Sequence, residues 1–144
     1  MTPDLFNSGT MPVLERMVQF TGRRHEVLTH NIANLSTPYF RPRDLSVARF
    51  QKQLRQAVDD RRETSHSAHG PLRLRSTREL RFHPDRLEAQ PEPLDENILF
   101  HDRNNRDLER VMQDLAENTL AHNTALQLLK SEFDLLEKAI RGQP

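Results

Sequence analysis

From Leu108 to Ile140 the sequence returns to one stripe at alternating steps of four and three residues: Leu108, Met112, Leu115, Thr119, His122, Leu126, Leu129, Phe133, Leu136 and Ile140. Eight of these ten positions are apolar. A strand cannot use that spacing, because its side chains change face at every residue, whereas an α-helix gathers all ten on one narrow seam. Asn104 or Asn105 can cap the start, Asp107 and Glu109 occupy the first turn, Lys138 and Arg141 the last, and Gly142 can end it. The segment therefore predicts one helix roughly 50 Å long at about 1.5 Å per residue. A seam of this kind is buried against another helix, in the same chain or a neighbour.

The N-terminal part supplies a matching helix. Thr10 and Pro12 provide a start, and Leu14, Val18, Thr21, His25, Leu28, Ile32 and Leu35 follow at the same alternating steps. The pattern predicts about 25 helical residues. It must stop near Ser36-Thr37-Pro38, since proline restricts the residue before it and lacks the next backbone donor; Pro42 prolongs the turn. Both seams turn polar near their middles, at Thr21 and His25 and at Thr119 and His122. These four come level if the two helices pack antiparallel within one chain, which makes them candidates for setting register. The expected packing residues are Leu14, Val18, Leu28 and Ile32 against Leu108, Met112, Leu115, Leu126, Leu129, Phe133, Leu136 and Ile140.

Between the long helices the pattern weakens. Asp44 or Ser46 can cap a shorter helix in which Val47, Phe50, Leu54, Ala57 and Val58 share a face. From Asp59 to about Phe100 charged residues, serines, histidines and prolines dominate, and Leu72-Arg73-Leu74 and Leu80-Arg81-Phe82 offer brief two-residue alternation. The expected fold is mainly α: an elongated, coiled-coil-like antiparallel pair of long N- and C-terminal helices, a short second helix, and a loop-rich middle with room for a small β-hairpin. One structural domain is expected, divided into residues 1–43, 44–60, 61–101 and 102–144.

Composition narrows the function. With 35% hydrophobic residues among 144 and a mean hydropathy of -0.80, the chain has little material for a thick core and is expected to depend on partners. Charge is balanced at 21 basic and 21 acidic residues but unevenly placed: residues 41–83 hold 11 Lys/Arg against 5 Asp/Glu, and residues 84–118 hold 4 against 10. The arginines at 61, 62, 73, 75, 78 and 81 lack interleaved aromatics, so a solvated or acidic-partner-facing surface is expected rather than nucleic acid. There is no cysteine, no secretory signal pattern and no apolar run long enough for a membrane span, so membrane insertion is not expected. Four glycines, at 9, 22, 70 and 142, cannot build a phosphate loop, and no Gly-x-Ser-x-Gly turn presents a nucleophile. His66 and His69 have a ligand-like gap but no second pair at a matching spacing, and no HExxH occurs. No enzyme activity, metal or cofactor is expected.

The end of the first helix reads Asn31-Ile32-Ala33-Asn34-Leu35-Ser36-Thr37-Pro38-Tyr39. In the last helical turn, Asn31 and Asn34 can bond released carbonyls or a neighbouring subunit, while Thr37-Pro38 fixes the exit. This string resembles the N-I-A-N-x-x-T-P-G-Y signature of flagellar rod, hook and hook-associated axial proteins. The C-terminal run from Asn104-Asn105-Arg106-Asp107-Leu108-Glu109 through Leu115-Ala116-Glu117-Asn118-Thr119-Leu120 to Ala139-Ile140-Arg141-Gly142 is similar to the small proximal-rod proteins of the FlgB family.

The resemblance implies a structural subunit of the periplasmic rod, exported through the flagellar type III apparatus without a cleaved signal peptide. It implies as partners copies of itself, other rod proteins (FlgC-like), the rod-base adaptor (FliE-like) and the MS ring (FliF-like). Two family glycines are replaced, by Tyr39 and by Arg103, so turns that use positive φ in relatives are expected to be built differently here. Apart from the resemblance, the amphipathic helices also suit a helical adaptor or export chaperone that binds a partner helix in the cytoplasm.

Overall fold

A computed structural model describes residues 9–65, 71–94 and 106–142. Helix α1 spans Met11–Ala33, strand β1 Arg43–Asp44, helix α2 Val47–Ser65, strands β2 Leu80–Phe82, β3 Leu87–Ala89 and β4 Glu92–Pro93, and helix α3 Arg106–Arg141. Thr10 is the N-cap of α1, with Pro12 in the first turn, where its missing N–H costs nothing. The Thr10 hydroxyl leaves its own helix uncapped and donates to Glu132 Oε1 at 2.8 Å. At the far end of the chain Gly142 adopts φ 64 and closes α3, as its position after the last periodic residue predicts.

The long helices run antiparallel. Thr10 meets Glu132, and eleven residues further along α1 the Thr21 hydroxyl lies 2.8 Å from His122 Nδ1. That pairing confirms the expected architecture. The rotation of α3 differs from the one the apolar count favours, however. Its inward residues are Val111, Leu115, Asn118, His122, Ala125, Leu129, Glu132 and Leu136, again at steps of four and three, with Ala125 only 1% exposed. This seam shares Leu115, His122, Leu129 and Leu136 with the richer one, whose Leu108, Met112, Leu126, Phe133 and Ile140 are exposed while Thr119 is half-buried.

The middle of the chain is more ordered than its sequence suggests. Helix α2 continues to Ser65, past the expected end at residue 60, because Arg61 extends the buried face of Phe50, Leu54 and Ala57 and donates from Nη2 to the Gly9 carbonyl at 2.9 Å. Ser46 caps it: the Arg49 amide donates to Ser46 Oγ at 3.3 Å, and the buried carboxylate of Glu79 accepts the Ser46 amide at 2.5 Å. Phe20, Leu45, Phe50, Leu54, Leu80 and Leu87 form the central cluster, where the rings of Phe20 and Phe50 stack at 4.1 Å with 1° between their planes.

The alternation at Leu80-Arg81-Phe82 becomes β2, paired antiparallel with β3 so that Leu80 meets Ala89 and Phe82 meets Leu87. Leu72 and Leu74 pack on the same cluster. The hairpin is tied to α1 by Arg16, whose Nη2 donates to the carbonyls of His83 at 2.6 Å and Pro84 at 3.3 Å, and by Gln19, which donates to the Asp85 carbonyl at 3.3 Å. A second antiparallel pair joins β1 to β4, Arg43 opposite Pro93 and Asp44 opposite Glu92. Helix α1 therefore carries two packing faces: Val13, Met17, Phe20 and Val27 toward this cluster, and the Leu14, Thr21, Leu28 row toward α3.

Candidate assembly surface

Three features stand out: the corner after α1, a polar layer between the long helices, and the outer face of α3. At the corner Asn31 is 1% exposed and reaches twelve residues ahead. Its Nδ2 donates to the Arg43 carbonyl at 2.6 Å and its Oδ1 accepts the Arg43 amide at 3.1 Å, so the side chain supplies both bonds that a neighbouring strand would. Asn34 acts locally, its side-chain amide donating at 2.9 Å to the His30 carbonyl that also accepts its backbone amide, while the Thr37 amide donates to the Asn34 carbonyl at 2.9 Å. Ile32 is half-buried, and Ala33 and Pro38 face solvent.

Tyr39 corrects one expectation. The turn is not rebuilt around the missing glycine: Tyr39 itself adopts φ 61, with its side chain 95% exposed. A non-glycine residue in that region strains its Cβ against the backbone at about 1 kcal/mol. Arg103, Asn104 and Asn105 lie outside the described residues, as do His66 and His69.

The polar layer sits where the two seams lose their apolar residues. Besides the Thr21–His122 contact, buried Asn118 donates from Nδ2 to the Thr21 carbonyl at 2.8 Å. One turn along, Arg24 is buried and forms a bidentate pair with Asp44, Nε to Oδ1 at 2.9 Å and Nη2 to Oδ2 at 2.8 Å, with Asp114 of α3 3.8 Å from the same Nη2. Burial opposes the Arg24 charge, and the bond to Asp44 with the charges of Asp44, Asp114 and Glu117 outweighs it, leaving the guanidinium pKa above its ordinary value. Burial raises the Asp114 carboxyl above its ordinary value despite Arg24.

Of the four register candidates, Thr21 and His122 meet. His25 is exposed, and the Thr119 hydroxyl donates to its own helix at the Leu115 carbonyl, 2.7 Å. Sequence reasoning read Asp44 as a helix-cap candidate and missed the layer it forms with Arg24, Asp114 and Asn118. Their signal was present as spacing, since Arg24 follows Thr21 by three and Asn118 follows Asp114 by four, but a charged residue at such a position is ordinarily solvated.

The outer face of α3 holds the remaining seam residues. Leu108, Met112, Leu126, Phe133 and Ile140 are exposed, from 38% at Leu108 to 71% at Ile140, and Leu120, Leu128 and Leu135 are exposed elsewhere around the helix. Met112, Thr119, Leu126, Phe133 and Ile140 lie seven apart, the repeat of a left-handed coiled-coil seam. A polar cleft of about 550 Å³ opens between α2 and residues 71–75, lined in part by Arg61, Arg73, Arg75, Asp60 and Glu63, with Arg75 3.9 Å from Asp60. Among the described residues no three His, Asp or Glu side chains gather as a metal site, and no helix is long and apolar enough to cross a membrane.

No protein-family model matches the chain. Similarity to individual proteins does extend over most of it. The flagellar basal body rod protein FlgB of Aquifex aeolicus (strain VF5) is 28% identical over 140 residues, 97% of this chain and 98% of the relative. The FlgB protein of Yersinia enterocolitica is 30% identical over 132 residues, 87% of this chain and 88% of the relative. The chain belongs to the FlgB family. A third FlgB protein, from Cereibacter sphaeroides (strain ATCC 17023), is 29% identical over 120 residues, 83% of this chain and 84% of the relative. The helix-end motif at residues 31–39, the long C-terminal helix and the antiparallel pairing thus occur together in an FlgB-family chain. Most of the large apolar side chains that this FlgB-family fold leaves exposed among its described residues lie on α3.

Proposed function

We propose that the chain is a structural subunit of the bacterial flagellar proximal rod, assembling through its terminal helices into the drive shaft that transmits torque from the MS ring to the distal rod and hook, and so required for motility. The outer face of α3 carries this reading. Of the ten large apolar side chains exposed among the described residues, eight lie on α3, and four of those, Met112, Leu126, Phe133 and Ile140, share one stripe, the kind of exposed apolar row that a partner helix covers. Family membership supports a rod component, and the seven-residue spacing supports helices as the covering elements. The partners that suit this surface are copies of the chain itself, FlgC-like rod proteins, a FliE-like adaptor at the rod base and the FliF-like MS ring, in the periplasmic part of the basal body. The role is mechanical rather than catalytic.

The test replaces two outward residues that the fold does not need. Leu126→Ser with Phe133→Ser should leave helical circular dichroism unchanged, remove the chain from detergent-extracted basal bodies and abolish swimming. Normal motility with the double variant incorporated would overturn the proposal.

A further inference from the structure

Helix α3 has two seams to offer α1, and the chain uses the poorer one. The outward-tending seam from Leu108 to Ile140 is apolar at eight of ten positions; the seam in use, from Val111 to Leu136, is apolar at five of eight and contains Asn118, His122 and Glu132. At about 100° per residue the two differ by a roll of roughly 60° about the helix axis. Apolar area alone favours the rolled helix, which would carry Met112, Leu126, Phe133 and Ile140 toward α1.

What the observed rotation gains is polar. It places the Asn118 amide on the Thr21 carbonyl and brings Asp114 to Arg24, which Asp44 already holds. Rolling α3 would withdraw both groups and set the methyl-bearing Thr119 near a buried guanidinium whose charge needs carboxylates around it. We infer that the layer formed by Thr21, Arg24, Asp44, Asp114 and Asn118 is a rotational lock, which holds α3 on its polar seam and thereby keeps the apolar stripe of Met112, Leu126, Phe133 and Ile140 exposed. Thr21, Arg24 and Asn118 are positioning residues here: they act by fixing the rotation of the helix that bears the stripe.

The absence of cysteine makes the rotation directly readable in the full chain. Thr10→Cys with Glu132→Cys reports the observed face, because those side chains are in contact, and Thr10→Cys with Phe133→Cys reports the rolled face. With the lock intact the first pair should oxidise at least about tenfold faster than the second, a difference of about 1.4 kcal/mol in barrier. Adding Asn118→Leu and Asp114→Leu should bring the two rates together or invert them, and should slow alkylation of a lone Leu126→Cys at least about fivefold as that position turns inward. An unchanged tenfold preference, or unchanged alkylation, overturns the lock. If the leucine variant loses its helical signal, Asn118→Ala with Asp114→Ala carries the same comparison without adding large side chains, since it removes the amide and the carboxylate themselves: a smaller preference supports the lock, and an unaltered one refutes it. Because the readout is made on the isolated chain, it stands or falls separately from incorporation into basal bodies.

Discussion

The two faces of α1 are held by different physics. Toward α2 and the β2–β3 hairpin, α1 contributes Phe20 to a cluster of large apolar side chains with a stacked aromatic pair at its centre. Toward α3 it offers Thr21 and Arg24, with buried Leu14 and Leu28 in the same row as Thr21, and meets Asn118, His122 and the small side chain of Ala125. Burial without directional bonds makes the first face strong and tolerant of small shifts. The second runs along both long helices, and its hydrogen bonds specify geometry more than they add stability. The middle of the chain thus folds on apolar burial, while polar contacts set how the longest helix is turned.

The largest expected effect lies on the apolar face. Phe20→Ala should cost about 4 kcal/mol in chemical denaturation, through lost burial and a cavity beside Phe50, whereas Val111→Ala at the α1–α3 seam should cost about half as much. Equal losses at the two sites would erase the contrast. At the corner that joins the faces, Asn31→Ala should cost about 2 kcal/mol, since the Arg43 amide and carbonyl lose both partners at a buried position. Hydrogen exchange at residues 43–44 should rise with it, and protection equal to that of the parent chain would show that β4 alone holds β1. The smallest effect has the opposite sign. Tyr39→Gly should stabilise the chain by about 1 kcal/mol by relieving the positive φ, less whatever the extra freedom of glycine removes, and a loss in thermal stability would show that the exposed ring matters to the fold.

Much of the architecture could be read from residue order. The four-three repeats locate both long helices, the first stopping at Ala33, five residues ahead of Pro38, and the second closed by Gly142, and the polar breaks bring Thr21 to His122. The helix-end string at 31–39 points to the family. The middle was less legible, because its apolar residues are spread thinly over α2, two short strand pairs and the Leu72-Leu74 segment, none of which buries enough alone to leave a periodic signature. Arg61, which lengthens α2, and Arg16, which anchors the hairpin turn, look like solvated arginines until the carbonyls they meet are placed.

Asn31 shows the same limit within the motif, since its sequence position announced a helix-end side chain but not that its partner would be Arg43. The sequence by itself determined that this chain has two long helices bearing seams at heptad spacing, because a helical repeat is a local property written into every seven residues. It could not determine which side of α3 turns inward. That choice depends on whether Asn118 and Asp114 find Thr21 and Arg24, and Arg24 is presented to them only because Asp44, twenty residues along the chain, returns to pair with it. Buried polar bonds between distant residues exist only once the tertiary structure has formed, and here they decide which apolar stripe stays outside.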